Sequence, residues 1–80
     1  MYPNLEKEMT KHEDTRYDLA RLLGITYSGM SYKINGKRTF TLEDIRKICN
    51  RYQKPFEYLF ATKEDIQKIM DEIKKWGTNQ

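Results

Sequence analysis

Gly24 interrupts the most strongly patterned part of the 80-residue chain, and its flanks leave few ways to fold. Ahead of it, Thr15 and Asp18 stand three apart as a capping-box-like pair, and Leu19, Ala20, Leu22 and Leu23 follow on a helical face. Gly24 is able to take the positive-φ conformation that turns a chain sharply out of a helix, and Ile25 offers an apolar anchor at the bend. Helix signals restart at once. Thr26 or Ser28 caps the next segment, Met30 and Ile34 form a buried pair four apart, and Asn35-Gly36 closes it. Two short helices joined so tightly must cross closely, and Ala20 is small where they meet. Leu19, Leu23, Ile25, Met30 and Ile34 then hold the crossing against the remaining helices. The face left outward is Tyr27, Ser28, Ser31, Tyr32 and Lys33.

The rest of the chain also reads as helix, since no stretch alternates strictly with a two-residue period. A first helix is expected over residues 3–12, opened by Pro3, with Leu5 and Met9 on one face. Another starts at Thr41, with Glu43 and Asp44 near its positive end and Leu42, Ile45, Ile48, Cys49 and Tyr52 as its apolar stripe. Pro55 stops that helix and opens a short one in which Phe56, Leu59 and Phe60 feed the core. Thr62 and Asp65 cap a last helix, with Ile66, Ile69, Met70, Ile73 and Trp76 along one side and Gly77 as its end. The fold class is all-α.

Eighty residues hold one domain with one modest core, too few for an added ligand-sensing or protease domain. Hydrophobic residues at 38% and charged residues at 34% describe a soluble globule with no membrane span. Glu6, Lys7 and Glu8 stand where a secretion signal needs an apolar run, so the expected compartment is the cytoplasm. Cys49 is the one cysteine and His12 the one histidine, which leaves no metal-ligand set, no disulfide and no nucleophile-base pair. Cys49 reads as a buried, unreactive thiol and His12 as a solvated helix-end residue. No cofactor, small-molecule ligand or catalysis is expected. Residues 19–42 contain Arg21, Lys33, Lys37 and Arg38 and not one Asp or Glu, a local excess that suits a phosphate backbone.

The segment TRYDLARLLGITYSGMSYKINGKR, with FTLEDIRKIC and PFEYLF downstream, resembles the helix-turn-helix of the phage repressor and Cro-like (XRE-type) family. The resemblance covers roughly residues 4–60. It implies a five-helix lambda-repressor-like DNA-binding domain over residues 1–61, its helix-turn-helix at about 16–35. Residues 62–77 would form an additional amphipathic helix that packs on its own domain or dimerises the chain. The implied function is a transcriptional regulator, a repressor of phage or prophage type, that binds operator DNA in the major groove as a homodimer. On matching positions the resemblance assigns base reading to Tyr27, Ser28, Tyr32 and Ser31. It assigns phosphate contact to Arg16, Thr26, Asn35, Lys37 and Arg38, with Lys33 able to serve either set.

Arg and Gln are absent from those reading positions. Tyrosines offer a ring edge to a thymine methyl and one hydroxyl each, less than the bidentate pair an Arg or Gln makes, so DNA shape is expected to share the selectivity. The alternative for Tyr27 and Tyr32 is partial burial against neighbouring helices. Two positions depart from the family pattern. Asp14 stands where an apolar staple commonly precedes the capping Thr, and Gly29 lies inside the reading helix, where close approach to DNA would account for the missing side chain. A second function class is a protein-interaction module of the same fold, such as an antitoxin or an anti-repressor partner.

Overall fold

The computed structural model describes residues 1–77, with side chains for residues 1–75. It contains helices α1 (Pro3–Lys11), α2 (Arg16–Leu23), α3 (Tyr27–Ile34), α4 (Leu42–Tyr52), α5 (Phe56–Leu59) and α6 (Lys63–Gly77), and no strand among the described residues.

The local signals act where the residue types dictate. Thr15 accepts from the Asp18 amide at 3.3 Å while Asp18 Oδ2 accepts from the Thr15 amide at 2.8 Å, a complete capping box opening α2. Thr41 and Asp44 repeat the device for α4, and Thr62 with Asp65 for α6. Gly24 lies at φ 69°, ending α2, and the Ile25 amide donates to the Ala20 carbonyl at 2.9 Å. At α3 the cap is Thr26, not Ser28: its Oγ1 accepts from the Gly29 amide at 3.0 Å. Gly36, at φ 79°, turns the chain away beyond Asn35.

Five helices close one core. Leu5, Leu19, Met30, Ile34, Ile48 and Leu59 are fully buried, one or more from each of α1 to α5, and Ala20 sits between α2 and its neighbours. An aromatic cluster adds mass that periodicity did not disclose. Tyr2, Phe40 and Phe60 meet edge to face at centroid separations of 4.9–5.7 Å, all three from positions outside the helices. Glu8 is a second surprise. It is 2% exposed because α5 packs across α1 and brings the Tyr58 hydroxyl within 3.0 Å of Glu8 Oε2, while His12 Nε2 lies 3.6 Å from Oε1. His12 itself caps α1 in solvent, as expected.

The absent staple ahead of α2 is replaced by a polar clasp. The Asp14 side chain, 4% exposed, accepts from Arg51 Nε and from the Tyr52 hydroxyl, each at 2.7 Å, and pairs with the second Arg51 nitrogen as well. This ties the α1–α2 loop to the last turn of α4. Arg51 holds the Asp14 carboxyl below the usual carboxylate range, against the opposing effect of burial.

Two apolar assignments are corrected. Leu42 opens α4 beyond the edge of the core, so it is exposed and the stripe begins at Ile45. Phe56 is half exposed, covering Phe60 with one stacked face at 5.5 Å. Cys49 is half-buried, and burial, then the Glu57 charge, pushes its thiol up, consistent with an unreactive sulfur.

α6 does not dock along its own domain. Ile66 is half-buried at its base, while Ile69, Met70 and Ile73 are each at least half exposed. The molecule is therefore elongated, 49 Å by 24 Å by 21 Å, with a radius of gyration of 14.5 Å. A compact chain of this length would have about 12 Å. The Trp76 side chain lies outside the described residues, as does whatever follows Gly77. No described helix is long and apolar enough to cross a membrane.

Candidate nucleic-acid interface

A helix advances 100° per residue, so with Met30 and Ile34 buried, Ser28 and Tyr32 point furthest from the core. Tyr27 and Tyr32 are 42% and 43% exposed, and Ser28 is exposed with them. The alternative of tyrosine burial is thus half met: each ring is partly covered, but by surface neighbours. Tyr27 is covered by Tyr17 of α2, their centroids 4.3 Å apart, and Tyr17 itself remains open to solvent. Sequence position alone does not mark Tyr17, because only the α2–α3 crossing brings its ring to this face.

Ser31 is half-buried and accepts from Arg16 Nη1 at 3.2 Å. Arg16 also lies 3.9 Å from Glu6, so its guanidinium bridges α1, α2 and α3 at the rim of the face. Thr26 spends its hydroxyl oxygen on the α3 cap. Asn35 is exposed at the far end of α3, beside Met1, Lys63 and Glu64.

The three cations around the end of α3 part company. Lys33 turns toward α4: its Nζ donates to Asp44 Oδ2 at 2.8 Å and to the Thr39 carbonyl at 2.9 Å, lies 5.8 Å from the Phe40 ring centre, and leaves the side chain 12% exposed. Partial burial would raise the Asp44 carboxyl, but Lys33 and the Thr41 cap outweigh it and hold the group below its usual range. Lys37 and Arg38 instead fold back over Tyr32. Their amides donate to the Tyr32 carbonyl at 2.8 and 3.2 Å, and their charged ends lie 5.8 and 5.4 Å from its ring centre. Neither joins a salt bridge among the described residues.

Gly29 is buried, and its missing side chain has an internal reason. A Cβ there would stand 3.2 Å from Thr26 Oγ1, pressing on the hydroxyl that caps α3, and 3.9 Å from Arg38 Nη1. The tight approach to the Thr26 hydroxyl gives the glycine a reason within the fold, beside the expected approach to DNA, while the distance to Arg38 is ordinary van der Waals contact.

A tightly turned helix pair, a polar aromatic face and, at its rim, cations that join no salt bridge among the described residues, in a stretch without carboxylates, define a helix-turn-helix-type DNA-binding regulatory domain. The BetR domain family matches residues 4–73, and the chain belongs to it. That match runs through α1 to α5 and into α6. No curated protein and no solved structure matches the chain.

Proposed function

We propose that this protein is a sequence-specific transcriptional regulator, a repressor of the phage repressor and Cro-like kind, which lays α3 in the major groove of operator DNA. The observation that carries this reading is the open face of Tyr27, Ser28 and Tyr32, rimmed by Lys37 and Arg38, which have no carboxylate partner among the described residues. In this reading Tyr27 and Tyr32 pack on base edges, Tyr17 extends the aromatic surface, and Arg16, Thr26, Asn35 and Lys37 touch phosphates. Lys33 acts inside the fold, holding α3 to the start of α4. The protein works by occupying a site, not by catalysis.

The open stripe of Ile69, Met70 and Ile73 supports a homodimer joined through α6. Two copies of α3 would then meet half-sites about 34 Å apart. Selection of bound duplexes from random DNA should return one motif repeated at that spacing. Failure to retain any duplex at low ionic strength would overturn the function. Sedimentation of the Ile69→Glu, Ile73→Glu double variant tests the dimer: wild type should have twice its mass, and equal masses would remove α6 from the interface.

A further inference from the structure

We infer that Arg38 reads a guanine, its guanidinium held ready for the major groove by the ring of Tyr32. The inference rests on the proposed placement of α3 in that groove and adds a base to it.

Arg38 follows α3 by four residues, yet its side chain returns along the helix. The guanidinium carbon lies 5.4 Å from the Tyr32 ring centre, and Nη1 lies 3.9 Å from where a Cβ of Gly29 would stand. Gly29 is the third residue of α3, so the charged fork rests against the helix's N-terminal half, the part that meets base edges when such a helix enters the groove.

Chemistry separates Arg38 from the other nearby cations. Arg16 is engaged by Ser31 and Glu6, and Lys33 by Asp44. Arg38 makes no salt bridge among the described residues, and its planar fork matches the O6 and N7 acceptors of guanine in a bidentate pair. Stacking on Tyr32 removes rotational freedom before DNA arrives, which lowers the entropy lost on binding. Lys37, a point charge over the same ring, lacks the fork.

The test is selection from random duplexes with wild type, Arg38→Lys and Arg38→Ala, each first shown to keep the wild-type melting temperature. The wild-type motif should contain a G·C pair in each half-site that Arg38→Ala ceases to select and Arg38→Lys selects less strongly, with the other positions unchanged. At that pair, 7-deazaguanine, which lacks the N7 acceptor, should weaken wild-type binding by about five- to 150-fold and leave Arg38→Ala unaffected. An unchanged motif with uniformly weaker binding would overturn the inference, making Arg38 a phosphate contact while α3 still reads. If wild type selects no motif, the inference falls together with the proposed function.

Discussion

Arg51, at the end of α4, grips Asp14, in the loop before α2, with two guanidinium nitrogens, while the Tyr52 hydroxyl donates to the same carboxylate. The clasp holds the entrance of the helix-turn-helix against the core from a position where an apolar staple would ordinarily sit. Asp14→Ala should therefore cost about 1–3 kcal/mol, because it strands the buried Tyr52 hydroxyl as well as removing the pair. The melting temperature should fall by roughly 5–20 °C. A variant within about 0.5 kcal/mol of wild type, the usual range of an inert surface change, would show the clasp to be without consequence.

Lys33 and Lys37 should separate in a binding and stability experiment. Lys33→Ala removes a donor from Asp44 and should lower stability by about 1–3 kcal/mol. Lys37→Ala should leave stability alone and weaken binding to all duplexes alike, lowering the slope of log affinity against log salt by about one. A salt slope that changed with Lys33→Ala in place of Lys37→Ala would reverse the two roles.

The acid limb of stability follows from four aspartates. Asp14, Asp18, Asp44 and Asp65 all sit below the ordinary value of 3.8 in the folded protein: Asp14 through Arg51, Asp18 and Asp65 through Thr15 and Thr62, and Asp44 through Lys33 and Thr41 against the cost of burial. Folded values below unfolded ones mean the stabilisation is complete above the unfolded pKa and is lost as pH falls through the folded values. Urea unfolding should then give a level stability from about pH 7 to pH 5 and a steep decline below about pH 4. Asp14→Asn should shallow that decline, and an unaltered curve would remove Asp14 from the set.

Backbone conformation makes a further pair of predictions. Glu13 occupies the left-handed region at φ 56° between α1 and α2, and Glu13→Gly should raise stability by about 0.5–1 kcal/mol. Gly24→Ala at φ 69° should lower it by about 1–2 kcal/mol. Thermal unfolding of both proteins measures the contrast, and shifts of the same sign would contradict it.

The helix boundaries were legible because their causes are local. A threonine accepts from amides two or three residues ahead, an aspartate answers it, and a glycine turns left, all within one or two turns of chain; hence α2, α3, α4 and α6 begin where Thr15, Thr26, Thr41 and Thr62 require. The outward face of α3 was legible for the same reason, since Met30 and Ile34 assign its inner side by periodicity alone. Contacts between distant residues were not. Nothing near Asp14 announces Arg51, nothing near Glu8 announces Tyr58, and Lys33 and Arg38, both cations at the end of α3, separate because Lys33 pairs with Asp44 while Arg38 folds over Tyr32. The course of α6 belongs with these. Its stripe of Ile66, Ile69, Met70 and Ile73 is as regular as that of α4, but a stripe states only that a helix has an apolar side. Whether that side is covered depends on the space left by the other five helices, and the packing of the described residues leaves Ile69, Met70 and Ile73 open.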